Sequence, residues 1–250
     1  MEYDITIGLE VHCELKSTSK VFSPSPNAYS EKPNTNISVI DLGFPGILPV
    51  VNNGVIKKAL TVATALNCET PEYMIFDRKN YYYPDLPKGY QITQMHYPVG
   101  TNGYLDIYVE DQVKRIYIHD THLEEDTASL DHYDGYSLID YNRCGVPLLE
   151  TVTEPCMHSI DEALSFLESL KRLFLYTDVS DAKTELGQIR CDVNVSLAPK
   201  GSKELGVKVE MKNINSFYNV KMALESEIKR QTELLNNGME IEMETRRYDE

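Results

Sequence analysis

The chain has 250 residues, 42% hydrophobic and 25% charged, which is the balance of a globular protein and excludes a disordered one. No apolar run approaches the roughly 18 residues of a membrane span, and the acidic opening MEYDITIGLEVH is not a signal peptide, so a cytoplasmic protein without a membrane partner is expected. Its 39 acidic and 24 basic residues leave a net charge of −15, which repels phosphate backbones at long range and gathers magnesium, so any contact with nucleic acid must be local.

Five cysteines, an odd number with no C-x-x-C, argue against a disulfide framework and against a thiolate zinc site. Residues 3–15 alternate with period two: Ile5, Ile7, Leu9 and Val11 on one face, Thr6, Gly8, Glu10 and His12 on the other. Glu10 and His12 thus project from one side of a strand, a pair that suits a metal or plain surface decoration. Residues 17–49 are dense in Gly and Pro and predict an ordered, irregular loop system around one short strand at 37–42. Residues 51–67 have the apolar spacing of a helix.

Residues 78–92 (RKNYYYPDLPKGYQI) form a basic, aromatic loop. Arg78, Lys79 and Lys88 can neutralise phosphates, and Tyr81, Tyr82, Tyr83 and Tyr90 can stack on a base or simply cover the edge of the core. Asn102-Gly103 between strand-like arms predicts a hairpin turn. Residues 114–126 predict a strand running into Glu124, Glu125 and Asp126 behind His119 and His122, which reads as a solvated turn or as part of a metal site. Asp134-Gly135 marks another turn, and the strand-like stretch after it ends with Glu150 and Glu154.

Residues 159–176 give the clearest helix, opened by an S-x-x-E capping box at Ser159 and Glu162. A further helix is predicted over 217–236, with Gly238 as its stop. Between them, residues 188–216 read as two strands joined by a long loop. Val207, Val209 and Met211 are the buried set of the second strand, and Arg190, Asp192, Glu210 and Lys212 share one sheet face. That mixture suits a metal–nucleotide site or an ordinary solvated face with cross-strand ion pairs. Many antiparallel strands with three inserted helices make the chain α+β, a largely antiparallel sheet with helices on one face. No repeat or linker divides it, so 1–250 reads as a single domain.

No phosphate-binding glycine loop and no nucleophile elbow is present. What the chain offers is Glu10, Glu125, Glu150, Asp192 and Glu210, with His12, spread over several strands. A sheet face lined in this way can hold magnesium over ATP phosphates and neutralise the charge of phosphoryl transfer.

IGLEVH, FSPSP, LGFPGILPVVN, FDRKNYYYPDLPKGYQI, HLEED, NRCGVPLLE, YTDVSD, IRCDVNVS, EMKNINSF and ETRRYDE occur in that order from end to end. In these segments the sequence resembles the B subunits of tRNA-dependent amidotransferases. The resemblance implies a glutamine synthetase-like catalytic cradle over 1–250, with the family's C-terminal helical and tail domains absent. It implies that ATP and Mg²⁺ are used to phosphorylate the side-chain carboxylate of Glu or Asp carried on Glu-tRNA(Gln) or Asp-tRNA(Asn). The implied partners are an amidase A subunit that supplies ammonia from glutamine and a small C subunit, forming a heterotrimer, with the tRNA held mainly by the missing domains.

By the same resemblance Glu10, His12, Glu125 and Glu150 are metal candidates. Glu125, Asp192 and Glu210 are the catalytic candidates, the last two completing the metal or orienting the substrate. Lys79, Arg190 and Lys212 face phosphates, and Tyr81, Tyr82 and Asn213 line the nucleotide or aminoacyl pocket. Ser23 and Ser25 stand where some relatives carry zinc-binding cysteines, so no structural zinc is expected. The residues after HLEED and TEP depart from the family pattern. These departures leave as one alternative a non-catalytic scaffold that binds an amidase-like partner, and the missing tRNA-engaging tail leaves another, an ATP-dependent ligase or kinase of a small carboxylate.

Overall fold

The alternation of the first fifteen residues becomes the spine of the molecule. A computed structural model describes residues 2–30, 32–212, 214 and 216–248, so the candidate Asn213 lies outside the described residues. The elements are β1 (Tyr3–Glu14), α1 (Asn53–Ala65), β2 (Asp77–Asn80), β3 (Tyr90–Thr93), β4 (Gly100–Val109) and β5 (Gln112–Glu125). They continue with β6 (Ser129–Tyr133), β7 (Tyr136–Asp140), β8 (Pro147–Thr153), α2 (Ile160–Tyr176), β9 (Ile189–Pro199), β10 (Val209–Lys212), α3 (Phe217–Asn236) and β11 (Glu244–Arg247).

Seven strands form the main sheet in the order β11-β10-β9-β1-β8-β5-β4, antiparallel throughout except for β10 with β11. β1 is central because both its edges are used: β9 pairs with it from Tyr3↔Pro199 to Cys13↔Ile189, and β8 from Glu10↔Val152 to Glu14↔Leu148. Ile7, Leu9, Val11 and Cys13 of β1, Leu149 of β8, Leu123 of β5 and Val193 of β9 are buried in one core with Val62, Phe166, Leu170 and Leu224 of the helices. The helices therefore cover one face, as the apolar stripes predict, and Glu10, His12 and Glu14 are left on the other. Each helix begins at a side-chain cap: Asn52 accepts from Gly54 N, Ser159 from Glu162 N and Ser216 from Asn219 N. Glu162 returns its carboxylate to His158 N at 2.6 Å, one residue before the cap. Among the described residues no helix is long and apolar enough to cross a membrane.

Four local expectations are corrected. Asn102-Gly103 lies inside β4, and the hairpin turns at Glu110 and Asp111, whose φ values of 48° and 62° suit a tight two-residue connection. Gly103 serves close packing instead. A Cβ there would lie 2.4 Å from Cys68 Sγ and 2.6 Å from Leu66 O, at the end of α1. Residues 37–42 form turns and no strand, because Asp41 folds inward to accept from Ser25 Oγ at 2.5 Å and from Ser38 N at 2.8 Å. The loop at 78–92 is a two-stranded ribbon of β2 and β3 with a crossing segment between them. Val207, predicted as buried, is 40% exposed, since β10 begins two residues later.

Gly103→Ala should destabilise the chain by about 1–3 kcal/mol, the usual cost of forcing an extra carbon into a packed site. A denaturant midpoint equal to that of the parent would show that the β4–α1 contact yields freely.

Candidate active site

The polar face of β1 meets the polar faces of its neighbours in register. Arg190, His12, Glu150 and His122 stand opposite one another across β9, β1, β8 and β5, and Asp192 and Glu10 stand opposite each other two residues along. Adjacent strands lie about 4.8 Å apart, so side chains from such rows reach a common point. Two groups result, His12 with Glu124 and Glu150, and Glu10 with Asp192 and Glu210. Within each group the ligand atoms lie within 4.8 Å of one another.

In the first group His12 Nε2 is 3.3 Å from Glu150 Oε2 and 3.6 Å from Glu124 Oε1. Burial opposes a charged imidazole, but the hydrogen bond and charge of Glu150 and the charge of Glu124 outweigh it, raising the His12 pKa. His122 sits beyond them, with Nε2 3.2 Å from Glu150 Oε2 and Nδ1 2.7 Å from Asp120 Oδ1. There too burial is outweighed, by Asp120 and Glu150, and the pKa rises from 6.5 to about 10. Burial would push Glu150 up, yet its bonds to the two imidazoles hold it well below the ordinary carboxylate range. Glu124 is raised, chiefly by burial.

In the second group Lys212 Nζ lies 3.3 Å from Asp192 Oδ2 and 3.2 Å from Glu210 Oε1. Asn194 Nδ2 donates to Glu10 Oε1 at 2.9 Å, and Thr245 Oγ1 to Glu210 Oε2 at 2.8 Å. Asn194 Oδ1 is buried and, among the described residues, has no hydrogen-bond partner. All-oxygen donors with a spare amide oxygen beside them fit Mg²⁺, a hard ion. The first group adds one imidazole nitrogen and also suits Mn²⁺.

The structure brings together five of the candidates, Glu10, His12, Glu150, Asp192 and Glu210, with Lys212 among them. Glu125 does not join either group. Its Oε2 takes Lys88 Nζ at 2.9 Å and its Oε1 takes Ile92 N at 2.9 Å, both in the interior. Glu124 occupies the site in its stead, because a bulge between Ile118 and Asp120 reverses the parity of β5. Counted without interruption from buried Ile116 and Ile118, Glu125 falls on the polar face; after the bulge, Leu123 and Glu125 face inward and His122 and Glu124 face the site. The sequence signal for Glu124 was the acidic run itself, and nothing in the alternation located the bulge.

Arg190 faces the site but is engaged, with Nη2 3.0 Å from Asp126 Oδ2. Lys79 borders a cavity of about 550 Å³ with Gln94, His122, Glu124 and Glu150. Burial, followed by the charges of Asp85, Glu124 and Asp126, raises the Tyr81 pKa to about 12. Tyr82 is 91% exposed and lines a shallow hollow with Tyr83, Lys88 and Gly89. A second cavity of about 330 Å³ covers His12, Glu124, Asp192 and Lys212, so Glu124 stands between the two spaces.

An α+β chain whose open sheet face gathers two adjoining acid-rich groups is, by fold and site, a candidate cation-binding enzyme domain. The profile of the family described as GatB/GatE catalytic domain matches residues 5–250, and the chain belongs to that family. It is 53% identical over 250 residues to a protein of Macrococcus caseolyticus and 54% identical over 250 residues to one of Staphylococcus epidermidis. It is likewise 53% identical over 251 residues to one of Geobacillus kaustophilus. All three relatives are named as the B subunit of an aspartyl/glutamyl-tRNA(Asn/Gln) amidotransferase. Each match covers 100% of this chain and 53% of the relative, so the chain spans about half the length of these proteins.

Glu124→Gln should weaken Mn²⁺ binding, read by electron paramagnetic resonance, by more than about tenfold. Glu125→Gln should leave that affinity in place and instead lower stability by about 3–5 kcal/mol, because it strands Lys88 in the interior. Equal effects of the two on Mn²⁺ would contradict the inward placement of Glu125.

The metal-free chain should also show a pH dependence set by His122. A histidine raised from 6.5 to about 10 contributes fully below its unfolded pKa and loses that contribution as pH rises from 6.5 toward 10. Urea midpoints in chelator should fall over this window, and His122→Asn should flatten the fall.

Proposed function

We propose that this chain is the activating, ATP- and Mg²⁺-dependent part of a tRNA-dependent amidotransferase, working as a glutamine synthetase-like cradle. The observation that carries the reading is the pair of adjoining acid-rich groups on one sheet face, with Lys79, Arg190 and Lys212 around them. The names of the relatives supply the substrate class. A carboxylate is a poor electrophile toward ammonia, so the side chain of Glu or Asp on its tRNA has to be activated first. One carboxylate oxygen attacks the γ-phosphorus of ATP, the bond to the β-phosphate oxygen breaks, and ADP leaves. Ammonia then attacks the acyl carbon, the bond to phosphate breaks, a proton is released, and the amide remains.

In this reading His12, Glu124 and Glu150 hold one Mg²⁺, and Glu10, Asp192 and Glu210 a second. The ions, when bound, would neutralise the phosphate oxygens of the transferring group. His122 and Asp120 orient Glu150. Lys212 and Lys79 give phosphates a cationic border, and Arg190, tied to Asp126, fixes the wall between the cation groups and the space beyond. Ammonia comes from an amidase A subunit, with a small C subunit completing a heterotrimer and further domains engaging the tRNA.

The test is ADP formation by the chain combined with its amidase partners and Glu-tRNA(Gln) or Asp-tRNA(Asn). ADP release should require the charged tRNA and fall by more than about 100-fold in Asp192→Asn, the loss of a group that acts in the transition state. Release that ignores the tRNA, or survives the substitution, would overturn the proposal.

A further inference from the structure

One member of the second acid group is gripped from the edge of the sheet. β10 and β11 are parallel neighbours joined through α3, a strand–helix–strand crossover that brings β11 to the edge of the main sheet. In this register Thr245 stands opposite Glu210, and its hydroxyl donates to Glu210 Oε2 at 2.8 Å. The other oxygen, Oε1, lies 3.2 Å from Lys212 Nζ, which reaches Asp192 Oδ2 at 3.3 Å. One carboxylate oxygen is thus pinned to β11, and the other is turned toward the rest of the group.

β11 has little of its own with which to hold anything. It is four exposed residues long, and its one strand neighbour among the described residues is β10. A short parallel ladder at a sheet edge contributes little order by itself. Its anchor lies on the opposite face. Side chains alternate along a strand, so Glu244 and Arg246 point to the helix side, away from Thr245.

There Glu227 of α3 is buried, 3% exposed. Its carboxylate accepts from Arg230 Nε at 2.8 Å, from Arg230 Nη2 at 2.7 Å and from Gln231 Nε2 at 2.8 Å. Arg246 Nε lies 3.6 Å from Glu227 Oε2, and Glu244 Oε1 takes Arg246 Nη1 at 2.8 Å and Arg230 Nη2 at 3.3 Å. Gln231 Nε2 also reaches Val195 O at 3.4 Å, on β9, the strand that carries Asp192. A buried carboxylate cannot give up such partners without leaving its charge uncompensated. The cluster therefore fixes β11 to α3 and, through α3, to the strand of Asp192.

We infer that Thr245 is a positioning residue for the second cation: it holds Glu210 with Oε1 toward Asp192 and Glu10, and the charge cluster around Glu227 holds Thr245 in register. The inference rests on the two-cation reading above and extends it through the sheet, since residues on the helix side then govern an ion bound on the open side. A threonine suits the task. Its hydroxyl orients the carboxylate but carries no charge, so it does not compete for the place of the ion as Lys212 does.

The test is Mn²⁺ titration of the chain read by pulsed electron paramagnetic resonance. An ion at His12 couples to the imidazole nitrogen, whereas an ion among Glu10, Asp192 and Glu210 has carboxylate oxygens as its side-chain ligands, so the spectra tell the two apart. The parent should bind both. Thr245→Val, which keeps the shape of the side chain and removes its donor, should weaken the all-oxygen ion by about 10–100-fold, the usual loss when a group that orients a metal ligand is removed. It should leave the nitrogen-coupled ion unchanged, and Thr245→Ser should restore the affinity. Arg246→Gln, altered on the other face, should weaken the same all-oxygen ion.

An all-oxygen ion held by Thr245→Val as tightly as by the parent overturns the proposal. So does an equal loss of both ions, which marks a general loosening of the sheet. Parental affinity in Arg246→Gln overturns the anchoring through Glu227, and a parent that binds no all-oxygen ion overturns the proposal together with the two-cation reading. A parallel titration with ATP in Mg²⁺ separates positioning from activation. Thr245-dependent ion binding without nucleotide binding upholds the positioning and removes activation. Nucleotide binding with ions indifferent to Thr245 removes the positioning and leaves activation standing.

Discussion

The pairing of β1 with β9 on one edge and β8 on the other is the constraint from which both the core and the site follow. Side chains alternate along a strand, so one register decides which face is apolar on every strand at once. With Leu9 opposite Val193 and Cys13 opposite Leu149, the apolar sets align under the helices. The same register puts Glu10 against Asp192 and His12 against Glu150. A slip of one residue would bury the carboxylates under the helices and expose the core. The hydrophobic energy that fixes the sheet, at roughly 25 cal/mol per Å² of apolar surface buried, therefore also fixes the spacing of the acid groups.

Holding so many carboxylates together in a chain of net charge −15 requires compensation from within the site. Like charges at this range disfavour ionisation, yet Glu150 is kept ionised by two imidazoles, and Asp192 and Glu210 share Lys212. These cations neutralise the same oxygens that a divalent ion would bind. Binding of a divalent ion there would then be coupled to proton release from His12 and displacement of Lys212. The arrangement keeps the sheet face folded and polar without a metal, where five unmatched acids would tend to open it.

Much of this was legible in the sequence because it rests on periodicity. The alternation of β1, β9 and β10 identified Glu10, His12, Asp192, Glu210 and Lys212 as one face, and the capping residues located α2 and α3. What periodicity does not carry is a change of phase. The bulge after Ile118 exchanges Glu125 for Glu124, and no composition signal marks it. Asn102-Gly103 has the residues of a turn, but Gly103 is needed for the approach of Cys68 and Leu66, a demand set by another part of the chain. The residues 37–42 are apolar enough for a strand and fail to form one because Asp41 finds its partners inside. Each departure comes from a tertiary contact overriding a local pattern.

β1 also acts as a ruler. Glu10 and His12 follow one another at a two-residue step on the open face, so the second acid group and the first fall in line about 6.6 Å apart along the strand. A rigid strand holds the spacing of such groups better than loops would.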